Sequence, residues 1–277
     1  MQWIPFLWSS DEIDGRRFER SAMFLQGRVE PLNAEGVFQF DLGVPYSILY
    51  GRSFPGDALK PFGTSRTVRF NGRQIPIVDV SITFPTVKVE DPALLEDFGG
   101  YEELEGYRIL GTVGINMVEG KVLIIDFPRK RMAILPAIPD TLNVKLAPLK
   151  RTRSGHIVLE VEMDGQKVNF AYDSGSSIFG LLTTHEIWQR LTDGVITDSF
   201  NIYAWGQKHT VYAAKLKRKV SIAGVPLQIE EAHYVDIPGG DEFFRANGIT
   251  AMMGNRPFWN MVVILDLKEG RFGILKR

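Results

Sequence analysis

Apolar and polar residues alternate in short runs through most of the chain, and the runs are cut by Gly, Asn-Gly and Asp-Gly. Strict alternation marks strands with one face buried, whereas an amphipathic helix repeats its apolar positions at helical spacing. AMFLQGRV, VFQFD, VRFNGRQIPIVDVSITF and KVLIIDF predict strands in the first half of the chain. HIVLEVEMDGQKVNFAYD, KVSIAGVPLQIEEAHYVD, MVVILDL and RFGIL predict them in the second. Asn71-Gly72 and Asp164-Gly165 lie between such runs and predict tight hairpins, because Gly and a preceding Asn or Asp tolerate the left-handed backbone these turns need. The best helix is TTHEIWQRLTDG: Thr184 can cap it, Ile187 and Leu191 share a face, and Gly194 can stop it. The fold class that follows is mainly β.

The pattern also repeats. IIDFPRKRMAIL and VILDLKEGRFGIL match at a constant offset of 140 residues, Asp126 against Asp266, and both predict strand, polar turn, strand. Each is preceded by two apolar residues and a glycine, Ile109-Leu110-Gly111 in one case and Met252-Met253-Gly254 in the other. Near the start of each half, VFQFDLG faces VNFAYDSG. The shared order predicts a duplicated β unit: two similar barrel-like lobes, residues 1–136 and 155–277, related by a pseudo-two-fold axis. The segment 137–154, rich in proline and basic residues, is the expected linker, and its charges read as solvated.

A two-fold arrangement would bring Asp41 and Asp173 together although they lie far apart in sequence. Either acid alone reads most simply as a turn cap; their matching places in the repeat favour a pair. Carboxyl groups in close contact resist double ionisation and share a proton. The neutral member can then protonate a carbonyl oxygen while the ionised member takes a proton from water, with no metal or cofactor. Gly43 and Gly175 permit close backbone approach and turn amides toward the acids, and Ser174 and Ser176 could add hydroxyl donors.

At these residues the chain resembles the pepsin-like and retropepsin-like aspartic peptidases, in which each β lobe supplies one Asp from an Asp-Thr/Ser-Gly turn. YDSGSSIFG lies close to that pattern, and MMGNRPFWNMVVILDLKEGRFGI resembles the end of the family's second lobe. The likeness runs from about residue 20 onward, and two different lobes in one chain favour the bilobal arrangement over a homodimer. It implies a pepsin-like acid protease fold, an extended peptide substrate, and hydrolysis by a water molecule without a covalent intermediate. Asp41 and Asp173 match the catalytic pair, Ser174 the position whose hydroxyl braces the base of the site, and Ser176 a serine that hydrogen-bonds the neighbouring carboxylate. Leu42 and Val44 depart from the pattern because neither carries a hydroxyl; Tyr46 and Ser47 are the candidates to compensate. The family's flap tyrosine has only Tyr50 as a candidate, beside the Gly- and Pro-rich segment 50–67.

Composition narrows the remaining choices. With no cysteine, thiolate catalysis, disulfides and Cys-based metal sites are excluded. His156, His185, His209 and His233 have no metal-ligand spacing, so no metal or cofactor is expected. A net charge of −1 gives no electrostatic reason to bind nucleic acid. No apolar run approaches the roughly 20 residues of a membrane helix, and the N-terminal WIPFLW lacks the layout of a signal peptide, so the default compartment is the cytoplasm. Asp126 and Asp266 read as turn caps, GTVG at 111–114 as part of the repeat, and Trp188 as helix packing. Tyr203, Trp205 and Tyr212 read as a loop-like aromatic segment that could line a cleft, His185 as exposed, and KLKRK at 215–219 as a guarded strand edge. The leading expectation is a monomeric, compact, bacterial-type aspartic endopeptidase acting on peptides. The alternatives are an inactive or weakly active peptidase-like peptide-binding protein, and a structural double barrel whose acids are turn caps.

Overall fold

The alternating runs become strands because each can bury one face and expose the other, and they assemble into two large sheets. The computed structural model describes residues 1–50, 53–54, 66–70, 73–77, 103–204, 207–237 and 239–276. A 15-stranded sheet and an eight-stranded sheet hold nearly all of the described strands, with a separate two-stranded hairpin. No helix among the described residues is long and apolar enough to cross a membrane.

Two strand sets carry the Asp turns, and they share one register. In the first half, Met23–Val29 pairs antiparallel with Ala34–Phe40, which then lies parallel to Tyr107–Val113 with Phe40 opposite Val113. In the second, Ile157–Met163 pairs antiparallel with Gln166–Tyr172, which lies parallel to Ala251–Met253 with Tyr172 opposite Met253. Short strands complete each set antiparallel, with Ile48 opposite Thr112 and Leu182 opposite Met252. A parallel pair of neighbours needs a long crossover. Each Asp turn is therefore the end of a central strand, hemmed in by a strand from much later in the chain.

This register corrects one equivalence read from the sequence. Val113 matches Met253, so the first-half partner of Met252-Met253-Gly254 is Thr112-Val113-Gly114 rather than Ile109-Leu110-Gly111. The offset of 140 thus holds for the glycines as well as for Asp126 and Asp266. Both glycines are needed for close passage of chain: a side chain at Gly114 would strike the Val44 carbonyl, and one at Gly254 the Ser176 carbonyl. Hydrophobicity alone could not find the shift, because Ile109, Leu110 and Val113 are all buried.

Between the two sets, Val122–Asp126 pairs antiparallel with Met261–Asp266, centred on Ile124 opposite Ile264. These two residues are themselves 140 apart, so the ladder maps onto itself when the halves are exchanged. Leu146–Arg151, inside the expected linker, is a strand that joins Arg271–Lys276 to Ile157–Met163. Phe40, Leu42, Leu49 and Val113 belong to the same buried cluster as Phe170, Tyr172, Met253 and Phe258, so one continuous core backs both turns. Full burial of each such side chain contributes about 1.5–3 kcal/mol.

Other expectations resolve locally. Asp164 and Gly165 form the hairpin with φ of 50° and 81°. Asn71 and Gly72 lie outside the described residues, although Arg66–Phe70 and Arg73–Ile77 on either side are paired. Thr184 caps the helix His185–Leu191 by accepting the Ile187 N–H at 3.3 Å. That helix ends three residues before Gly194, where Thr192 Oγ1 bonds the Trp188 carbonyl and a strand begins. Trp188 is buried and donates to the Ala232 carbonyl. The segment read as an aromatic loop is a long hairpin, Thr192–Ala204 with Gln207–Leu216, and Tyr212 stacks on Tyr234 within it. Trp205 lies outside the described residues. His185 is exposed beside Tyr234. Asp126 and Asp266 are buried turn acids paired with Arg131 and Arg271. An unforeseen hairpin, Asp11–Ile13 with Arg16–Phe18, reaches across to the second half through Asp14 with Asn201 and Arg16 with Asp198.

Candidate active site

Each acid begins a turn at the end of its central strand, and the two turns are built alike. Asp41 N–H donates to the Val113 carbonyl at 2.9 Å and Asp173 N–H to the Met253 carbonyl at 3.0 Å. The Gly43 amide donates to Asp41 Oδ1 at 2.7 Å, and the Gly175 amide to Asp173 Oδ1 at 2.8 Å. The turns then cross. A Cβ on Gly43 would lie 2.5 Å from Asp173 Oδ1, and one on Gly175 would lie 2.5 Å from Asp41 Oδ2. Each glycine is thus packed against the carboxyl group of the opposite half, which brings the two carboxyl groups within reach of one another.

Carboxyl groups so close share a proton, and the electrostatics weight it toward the second-half acid. Burial, the negative charge of Asp41 and the hydrogen bond to it raise Asp173 well above the usual carboxylate range. Burial also raises Asp41, but the hydrogen bond from Asp173 and the amides of Gly43 and Gly175 act against the rise. Both acids are raised and Asp173 the further, so a shared proton is weighted toward Asp173, and the titration belongs to the pair. Asp41 and Asp173 are each partly exposed as whole residues.

The support beneath the pair is one-sided. Ser174 Oγ accepts the Leu42 N–H at 2.8 Å and donates to the Phe40 carbonyl at 3.1 Å, tying the second-half turn to the first. Leu42 has no hydroxyl to return the contact; its side chain is fully buried in the core, where an apolar group gains what a hydroxyl would lose. Ser176 addresses Asp173 through its backbone amide. Val44 contributes its carbonyl, which accepts the Ile115 N–H at 2.9 Å. Ser47 is buried, accepts the Gly114 N–H at 3.1 Å and donates to Asn116 Oδ1 at 2.6 Å, bracing the rear of the first-half turn. Tyr46 is 59% exposed next to that turn. Tyr50 faces inward, with its hydroxyl on Thr112 and its ring against Phe24, Val37 and Ile109. Most of the segment 50–67 lies outside the described residues.

Ser174→Ala isolates the cross-half tie. It is expected to lower stability by about 1–3 kcal/mol, because the buried Leu42 N–H loses its partner. Urea unfolding of the two proteins measures the difference, and a change near zero would show that the tie carries little.

The sequence reading missed a second set of supports and the cavity beside them. Tyr172 donates to Asn255 Oδ1 at 2.7 Å, and Asn255 Nδ2 donates to the Ser174 carbonyl and to Ser177 Oγ, both at 2.8 Å. All four residues are buried, so this network fixes the second-half turn from behind. The available signal was an Asn directly after the repeated glycine at 254. A cavity of about 360 Å³ opens beside Asp173 and Gly43, walled by Leu182, Met252, Phe243 and His156. His156 directly precedes the strand that pairs with the Asp173 strand, but in sequence it was one of four scattered histidines. Among the described residues, no group of three or more His, Cys, Asp or Glu could hold a metal ion.

Comparison with known proteins bears on this geometry. No family model matches the chain, and no curated protein matches it. Among solved structures, an aspartic proteinase from Irpex lacteus is similar, with a TM-score of 0.52 over 99% of this chain and 97% of that one. The chain has an aspartic-proteinase fold. The two sequences are 10% identical, so the likeness is one of fold. Within this aspartic-proteinase fold, the paired Asp turns sit where the two strand sets meet.

Proposed function

We propose that the chain is an aspartic endopeptidase that hydrolyses peptide bonds through a water activated by Asp41 and Asp173, one from each of two lobes, residues 1–136 and 155–277. The observation that carries this reading is the crossed packing, in which Gly43 lies against the Asp173 carboxyl and Gly175 against that of Asp41. Turn caps have no need to meet across the molecule, and burying two acids in contact costs free energy that a structural role would not require.

The chemistry uses both protonation states. Asp41, ionised, takes a proton from a water molecule as its oxygen bonds the peptide carbonyl carbon. Asp173, neutral, gives its proton to the carbonyl oxygen, yielding a neutral tetrahedral diol. On collapse the C–N bond breaks, the nitrogen takes the proton now on Asp41, and a diol hydroxyl returns its proton to Asp173. Both acids end as they began, and no metal enters the cycle.

The second reading, a peptidase-like protein that binds peptides without cleaving them, is favoured by Leu42. A dyad needs geometry held within about half an ångström, and the first-half turn receives no brace from its own side chain at that position. Incubation with an unfolded protein substrate from acidic to neutral pH separates the two. The expected result is fragmentation that is blocked by a peptide bearing a hydroxyl group in place of the scissile carbonyl. A folded sample that binds this peptide and cleaves nothing at any pH would give the case to the second reading.

A further inference from the structure

The cavity beside Asp173 has mostly apolar walls, broken by Thr183, Thr184, Asp241 and an imidazole. Leu182, Met252, Phe243, Phe244 and Ile237 give it an apolar lining, yet His156 stands on the same wall, half-buried. Its Nδ1 is held by Ser154 Oγ at 2.8 Å and lies 3.4 Å from Thr152 Oγ1, and its ring meets Phe243 edge-on with 5.0 Å between centroids. The Thr152 hydroxyl also accepts the His156 N–H at 3.0 Å, so backbone and ring are both fixed. Nε2 has no hydrogen-bond partner among the described residues. An oriented imidazole whose Nε2 has no partner among the described residues, on the wall of a mostly apolar cavity, can serve as a recognition group.

We propose that His156 is a specificity-determining residue, and that its Nε2 selects a peptide side chain with an apolar body and a neutral hydrogen-bonding tip, of which tyrosine is the fitting case. The inference rests on the peptidase reading for its substrate class, since the cavity borders Asp173 and Gly43. A phenol both donates and accepts, so it meets the imidazole in either tautomer. A phenylalanine fills the apolar space but leaves Nε2 without a partner. The charges that act on the site disfavour an acidic tip: the exposed Asp241 lines the cavity and the Asp41 carboxylate acts on the His156 ring, while Arg151 acts on it in the opposite sense. A lysine ammonium, although drawn by these carboxylates, only donates, so it meets the imidazole in one tautomer, and it must shed strongly held water to enter. Burial keeps His156 below its ordinary range and Arg151 adds to this, while Asp41 pulls it back, so the ring is neutral near pH 7.

The test uses peptides that carry a hydroxyl in place of the scissile carbonyl and differ only in Tyr, Phe or Lys, placed in turn at each residue flanking that hydroxyl. Calorimetry at pH 7 gives their affinities for the wild-type chain, His156→Leu and His156→Gln. At one flanking position Tyr is expected to bind about tenfold tighter than Phe, the worth of one partly solvated hydrogen bond. His156→Leu should bring that ratio to about one, and His156→Gln, which keeps a donor and an acceptor, should retain part of it. An unchanged ratio in His156→Leu at both positions, tightest binding of the Lys peptide, or no binding of any peptide overturns the inference. Turnover is a separate readout: a wild-type chain that prefers Tyr but cleaves nothing ends the peptidase reading and leaves the assignment of His156 standing.

Discussion

Asp173→Asn is expected to lower the rate of peptide hydrolysis by about a thousandfold or more while making the folded protein more stable at neutral pH. The first effect follows from removing the proton donor: general acid catalysis is worth roughly 10²–10⁴-fold, and an amide in its place can hold the carbonyl oxygen but not protonate it. The second follows from linkage. Asp173 is raised well above the usual carboxylate range, by burial first and then by Asp41. Between the unfolded carboxylate pKa of about 4 and that raised value, the folded state keeps a proton that the unfolded state releases. Stability is therefore fully present below about pH 4 and falls as pH rises toward the raised folded value, by about 1.4 kcal/mol per pH unit for one proton. Asparagine carries no such titration. Urea unfolding of both proteins from pH 4 to 8 should show curves that lie close at the acid end and separate as pH rises. If the variant loses its activity but tracks the wild-type stability at every pH, Asp173 is not the proton-bearing member.

An acid that costs stability at its working position is the physical mark of a functional site, and it also shows which parts of this molecule the sequence could convey. The strands were legible because burial on one face writes an alternation into the chain, as in Ile157–Met163 and Gln166–Tyr172. The acids were legible because the repeat set VFQFDLG beside VNFAYDSG. The three-residue slip at Gly114 was not, since several buried apolar residues precede either glycine and only pairing fixes the register. Asn255, Ser177 and His156 were opaque for another reason. Asn255 reaches Tyr172, Ser174 and Ser177 only through the parallel pairing of strands about 80 residues apart. The wall that gives His156 its setting comes from residues such as Leu182 and Met252, far along the chain. Leu42 was legible as a departure, but what replaces its hydroxyl was not. The structure supplies a fully buried leucine and a single serine that holds both backbones.

Gly175→Ala is expected to destabilise the protein by about 1–3 kcal/mol and to remove most of its hydrolytic activity, although it adds one methyl group. Backbone strain is not the cause, because Gly175 does not take the left-handed conformation. The new Cβ would fall 2.5 Å from Asp41 Cγ and from Asp41 Oδ2, so either the carboxyl group or the turn must shift by about an ångström. That displacement acts on both acids at once. The Gly175 amide holds Asp173 Oδ1, and the same residue is the wall that keeps Asp41 in contact with Asp173. Asp41→Ala makes the argument specific, since it removes the atoms that the methyl group strikes. Gly175→Ala should then cost close to nothing in an Asp41→Ala background, and the double-mutant cycle should return a coupling of about the whole single-variant loss. Additive losses, with no coupling, would mean that the two turns do not press on each other, and the crossed packing on which the peptidase reading rests would fall with them.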